Sequence, residues 1–319
     1  MRRDLFQTFY QQKRNALWAG LAAAAIGLAA LVAPWDAGLA ALSFDLLSDL
    51  STPAPPPDVV VVYMDEESRT RLQQPPQAPW NRALHAALLE ELRHRGARLV
   101  AFDILCDEPW PDPTVDQQWA AAMRKHGKVL LASTLRESQS SSAPAVTRHL
   151  LPTESLREAS QHGLVELPLE TDGVIRRHYI NFEQMPFAER AAVMLERAPP
   201  RSATERWIRF YGKPNSLAHA SYHQVLEPRA LPEDFFTNKI VFVGMAPIIT
   251  YQGSKTTDLH RTPFSRWSGE QAPGVEIQAT ICANLLEGNW ATRPHPVVEA
   301  LMICCAGMLV GATAGFRFG

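Results

Sequence analysis

The side chains best placed to do chemistry in this chain are acids that follow apolar runs. Asp65, Glu66 and Glu67 come directly after Val59–Met64, Asp103 stands near the end of Arg98–Leu105, and Asp107 and Glu108 lie just beyond it. Carboxylates in this arrangement suit a hard cation bound through oxygen, or a polar ligand that donates hydrogen bonds. They would equally cap the helices that follow and satisfy loop amides. Both readings stay open from the residues alone. Arg176 and Arg177, after the turn at Asp172–Gly173, would meet an anionic ligand or form a surface ion pair. Thr262–Pro263–Phe264 reads as an apolar loop that packs over the domain or flanks its pocket.

Several chemistries find no support. No P-loop lysine accompanies Gly244–Met–Ala–Pro247, and the sequence has no G-x-S-x-G, H-E-x-x-H or paired-cysteine zinc pattern. The histidines are dispersed, and His85 and His94 read as the solvated face of a helix. The net charge of -2 leaves no basic surplus for a phosphate backbone, so nucleic acid is excluded as a partner, and no cofactor is called for. Cys106 and Cys282 would face an oxidising compartment, which leaves a disulfide between them open, while Cys304 and Cys305 fall within an apolar run.

The acids need a scaffold, and the apolar pattern supplies one. Val59–Met64 is a continuous β-branched run of the kind buried on both faces of a parallel sheet. Trp80–Arg95 has helical spacing and stops at Gly96, and Arg98–Leu105 is the next strand, which makes a right-handed strand-helix-strand crossover. Trp119–His126 predicts another helix and Lys128–Ser133 a short strand, followed by a mobile serine-rich loop over Ser138–Ala145. Gly173–Phe182, Arg206–Tyr211 and Lys239–Gly244 read as strands, Ala188–Arg197 as a helix, and Pro273–Gly274 opens a helix through Leu286. The fold class is therefore α/β with a mixed, largely parallel sheet. In such sheets ligands bind at the carboxyl ends of strands, where Asp65 and Asp103, read as ending neighbouring strands, would share a cleft.

The ends of the chain have a different character. Arg2, Arg3, Lys13 and Arg14 precede an uncharged run over Ala16–Trp35, and Val297–Phe316 is followed by Arg317. Each run has about 20 residues, enough for the ~30 Å hydrocarbon core of a bilayer. The basic flanks put both ends in the cytoplasm and the middle outside. The expected organisation is a cytoplasmic lead at 1–15, a span at 16–35, a Pro-rich connector at 36–57, an extracytoplasmic domain at 58–290 and a second span at 297–316. The stop shortly after the second span reads as a truncation before further spans or an output domain.

These residues resemble the second type of the CHASE sensor domains, extracellular modules of bacterial signalling receptors. The resemblance rests on Val59–Val–Val–Val–Tyr–Met–Asp65–Glu–Glu–Ser68, Pro79–Trp80–Asn–Arg82 and Ala101–Phe–Asp103–Ile–Leu–Cys–Asp–Glu108. It continues in order through Asp172–Gly173–Val–Ile–Arg176–Arg177, Lys239–Ile–Val–Phe–Val–Gly244, Thr262–Pro263–Phe264 and Pro273–Gly274–Val275–Glu276–Ile277. Gln278 stands where a histidine is common in that family, and Cys106 where an aromatic is more usual. The resemblance implies a receptor whose extracytoplasmic domain senses a ligand and drives a cytoplasmic cyclase or kinase. With the two spans, the expected protein is a multi-pass inner-membrane receptor with its sensor domain in the periplasm, its partners a small extracellular ligand, membrane lipid and a second copy in a homodimer. The ligand-binding candidates are Asp65, Glu66, Ser68, Trp80, Arg82, Asp103, Glu108, Arg176 and Thr262. The competing readings are an exported metal-dependent hydrolase using Asp65 and Asp103, and a structural oligomerisation ectodomain.

Overall fold

The computed structural model describes residues 2–32, 36–75, 78–140, 143–178, 183–196, 206–246, 258–292 and 295–317. The chain divides into two units, one made of Met1–Leu46 with Thr292–Gly319 and the other of Leu47–Ala291.

The first unit contains α1 (Arg2–Val32) and most of α2 (Asp36–Leu50), and it ends with the last helix, Pro296–Arg317. The expected connector at 36–57 is thus helical over most of its length, and only the proline-containing stretch after Leu50 is extended. Among the described residues no helix is long and apolar enough to cross a membrane, and residues 33–35 of the first expected span lie outside them.

The larger unit holds β1 (Val59–Met64), α3 (Glu66–Arg71), α4 (Arg82–His94), β2 (Leu99–Leu105), α5 (Pro113–His126), β3 (Val129–Ser140) and β4 (Ala143–Leu150). After these come α6 (Glu154–Arg157), β5 (Gln161–Leu164), α7 (Phe187–Met194), β6 (Ala218–Ser221), α8 (Tyr222–Leu226) and β7 (Ile240–Met245). The unit closes with β8 (Leu259–His260), α9 (Ser265–Ser268), β9 (Ala272–Pro273) and α10 (Gly274–Glu287), and Pro296–Arg317 is α11. Seven strands form one sheet in the order β4-β3-β2-β7-β1-β6, with β5 also on β3. All its pairs are parallel except β3–β4.

Alternation along the strands builds two cores. Val59, Val61, Tyr63, Ala101 and Phe242 meet α7 and α10, while Val60, Val62, Phe102, Val241 and Val243 meet α4, α5 and α8. Every residue of β1 is buried, which explains its unbroken apolar run. The helices begin where local chemistry lets them: Asn81 caps α4 by accepting from the Ala83 amide, Asp112 caps α5 ahead of Pro113, and Gly127 ends α5 in the left-handed region.

Several expectations change. The serine-rich segment is not a loop: β3 runs on through Ser140 and pairs antiparallel with β4, with 141–142 outside the described residues. The expected strands at Gly173–Phe182 and Arg206–Tyr211 reduce to isolated bridges, Val174 to Arg261 and Arg177 to Trp207, and 179–182 lie outside the described residues. Cys106 and Cys282 are free buried thiols, and they belong to the cores on opposite faces of the sheet, which forbids a bond between them. Burial pushes the Cys106 thiol up to about 11 and the Cys282 thiol up to about 12. His85 is no solvated residue: it is 1% exposed, with Nδ1 2.9 Å from the Tyr222 hydroxyl, and burial, helped by the charge of Arg82, pulls it down to about 3.

Candidate functional site

The carboxyl edge of the sheet is where the fold concentrates polar groups, and α10 is the element that closes over it. Its first turns touch three places along that edge. Val275 packs on Gly244 of β7, where an added Cβ would come within 2.7 Å of the valine Cβ. Glu276 accepts from the Tyr63 hydroxyl of β1 at 3.0 Å, and Gln278 donates to the Val165 carbonyl, just after β5, at 2.9 Å. Glu276 also accepts from the backbone N–H groups of Asn215 (3.0 Å) and Ser216 (3.2 Å), which ties the 212–216 loop to the helix. Burial raises the Glu276 pKa in spite of these donors.

Asp103 lies on this edge. It faces Gly244 in the β2–β7 register, in the same row as Tyr63, and it belongs to a bulge in the β2–β3 pairing that begins after Phe102. Bulges re-aim side chains and recur beside functional sites. Among the described residues, no hydrogen bond reaches the Asp103 carboxyl. Burial holds its pKa well above the usual carboxylate range, and the nearby charge of Asp258 adds to the effect. Asp258 sits at the start of α10. Its carbonyl accepts from the Gly274 amide at 3.1 Å, its Oδ1 is 2.9 Å from His260 Nε2, and its carboxylate oxygens lie 2.6 and 2.7 Å from where a Gly274 Cβ would stand. A side chain at Gly274 would have to displace the Asp258 carboxylate.

The remaining candidates are distributed over other places. Asp65 caps α3 by accepting from the Ser68 amide at 2.7 Å, and its other oxygen accepts from the Ser221 hydroxyl at the end of β6. It does not end a strand neighbouring that of Asp103, because β7 lies between β1 and β2. Two strand spacings put roughly 9–10 Å between their backbones. Ser68 is fully buried and its Oγ is 2.9 Å from His223 Nδ1, while Glu66 pairs with Arg69 on the outside of α3. Trp80 is buried edge-on against Tyr222, 5.3 Å between ring centres.

Arg82 is a buried tie. Its Nη1 donates to both oxygens of Asp116 at 2.8 and 2.9 Å, its Nη2 donates to the Glu108 carbonyl at 2.8 Å, and its guanidinium stacks over Trp110. The Glu108 side chain has no part in this contact. Arg176 is fully buried, so its ion pairs are not the surface ones expected. It bonds Glu170 at 2.7 Å and Asp172 at 2.8 and 3.1 Å. Thr262 is 2% exposed; its amide donates to Ser265 Oγ at 2.9 Å, and its own Oγ1 has no partner.

Asp258, Glu276 and Tyr63 are the residues of this edge that the acidic-cluster reading missed. Nothing in the local sequence places Asp258 against Gly274 or opposite β2. The metal-hydrolase reading loses its geometry with Asp65 and Asp103 apart, and among the described residues no group of three His, Cys, Asp or Glu side chains is arranged to hold a metal ion.

The larger unit is an α/β domain with a largely parallel sheet and an acidic carboxyl edge, and it lies in the chain between helices at both ends. A family model described as the CHASE2 domain matches residues 20–313, nearly the whole chain, and the protein belongs to that family of extracytoplasmic sensor domains, which are not catalytic. No curated protein and no solved structure matches the chain.

Proposed function

We propose that this protein is the periplasmic ligand-sensing module of a bacterial inner-membrane receptor, with the ligand received at the carboxyl edge beneath α10. The observation that carries the reading is the Asp103 carboxyl, half-buried beside Asp258 near the first turn of α10 and, among the described residues, without a hydrogen bond. A carboxyl held above its usual range at the carboxyl edge of a parallel sheet marks a candidate binding group. The chain leaves α10 at Glu287 and enters α11 at Pro296, so the helix over the site is followed directly by a terminal helix.

The finer reading is that α1 and α11 carry the signal through the membrane to a cytoplasmic output, in a homodimer. It is supported by their seam and by their outer surfaces. Small residues face each other where the two helices meet: a Cβ on Gly307 would fall 2.6 Å from the Ala24 nitrogen, and one on Gly311 would run into the Gly20 backbone. Large apolar side chains, among them Leu17, Leu21, Ile26, Leu301, Met302 and Leu309, are exposed instead. Small residues inside and large apolar ones outside are what close packing in lipid favours. A ligand that binds one arrangement of the helix pair better than another shifts the output; one that binds both equally shifts nothing.

Alkaline phosphatase fused at Ser140 should be active and at Gly319 inactive, and the reverse pattern ends the topology. In the full chain joined to a reporter output, Asp103→Asn should change the basal output or its response to periplasmic extracts. An unchanged output in a more stable protein would favour a structural ectodomain.

A further inference from the structure

Beside the 212–216 loop, α10 bounds a small cavity that the acidic edge does not account for. Its lining includes Tyr211, Lys213, Ser216, Thr262, Glu276 and Thr280, and its volume of about 10 Å³ is room for one water-sized guest. Glu276 and Thr280 are one helical turn apart, so α10 offers both to the same side. Thr262 arrives from the loop before α9 and is 2% exposed, with its Oγ1 left without a hydrogen-bond partner; Glu276 and Thr280 are each 4% exposed.

Two deficits meet here. A buried hydroxyl lacks a partner, which a folded protein seldom tolerates without an occupant nearby. The Glu276 carboxylate is buried with only neutral donors, the Tyr63 hydroxyl and backbone amides, and among the described residues no arginine, lysine or histidine forms an ion pair with it. Lys213 is exposed at the rim, where solvent screens its charge. Burying a carboxylate without a countercharge is costly.

We propose that this cavity binds a small monovalent cation, ammonium or an alkali ion, held by the Glu276 carboxylate and the hydroxyls of Thr262 and Thr280. The oxygen-only donor set and the single-guest volume match that chemistry, and they exclude larger organic cations. An occupied site ties the segment before α9, through Thr262, to Glu276 and Thr280 of α10. Ion binding does not depend on the sensing role. Any part the ion plays in signalling rests on that role.

The test is thermal unfolding of the full chain in lipid nanodiscs, in ammonium, potassium, sodium or choline chloride at equal ionic strength. One or more of the small ions should raise the melting temperature saturably, as ligands of the native state do, while choline should not. Thr262→Val, which keeps the side-chain shape, should melt close to the parent without added ion and weaken the apparent ion affinity roughly tenfold or more. Thr280→Val should act in the same direction, which keeps the test open if Glu276→Gln does not fold. Identical melting in all four salts would mean that the cavity holds water only and would overturn the proposal, as would a Thr262→Val protein with the full ion response. Asp103→Asn should keep the ion response whether or not it alters the output, so loss of sensing and loss of ion binding are read separately.

Discussion

The Tyr63 hydroxyl donates to the Glu276 carboxylate across 3.0 Å, joining strand β1 to the helix that closes the sheet's carboxyl edge. Both side chains are buried, and the bond spans the two layers of one core. Burial and the neighbouring carboxylate together raise the tyrosine pKa, so the phenol remains a donor at any physiological pH.

Tyr63→Phe removes that donor and leaves the ring in place. It should destabilise the protein by about 1–3 kcal/mol, the scale for leaving a buried charged acceptor short of one hydrogen bond. Chemical denaturation of Tyr63→Phe, Glu276→Gln and the double variant provides the check. The double variant should lose less than the sum of the two single changes.

Asp103→Asn should stabilise the protein at neutral pH. A carboxyl whose pKa is raised in the folded state holds its proton more tightly there than in the unfolded chain. Its contribution is therefore intact below the unfolded value near 3.8 and is lost as pH climbs through the raised folded value. Asparagine removes that loss, so the melting temperature at pH 7 should rise by roughly 2–4 °C for each kcal/mol recovered. Melting curves from acid to neutral pH should show a shallower decline in the variant than in the parent.

Asp65 should behave as a cap. Asparagine caps helices as well as aspartate does, so Asp65→Asn should cost little, whereas Asp65→Ala should cost about 0.5–2 kcal/mol by leaving the Ser68 amide unbonded. Denaturation midpoints of the two variants test the assignment. A large and equal loss in both would show that the charge, and not the cap, is what matters.

Arg82→Met should be among the most damaging single changes. It strands Asp116, whose carboxylate is buried and keeps only the Trp110 amide at 3.1 Å, and such broken pairs cost about 3–5 kcal/mol. Removing both charges with Arg82→Met and Asp116→Leu should recover much of the loss in a urea titration.

The amino-acid sequence by itself determined the strands that carry the sheet and the helices between them. An all-apolar run such as Val59–Met64 has no stable place except between two covered faces, and Asn81, Asp112 and Gly127 mark helix ends through chemistry confined to their own neighbourhood. Asp103 could be picked out as a residue of interest on the same local grounds. Strand order could not. That β7, far along the chain, inserts between β1 and β2 is decided by how the two cores pack, and this insertion separates Asp65 from Asp103. His85 has helical spacing that suits a solvated face, yet the packing of Phe102, Trp119 and Tyr222 around it encloses it. Asp258 beside Gly274, and Thr262 beside Glu276 in one cavity, likewise come from long-range closure of α10 over the sheet. Sequence patterns report burial and turns because those depend on near neighbours; which distant groups share a site depends on the packing of whole elements, which no local pattern encodes.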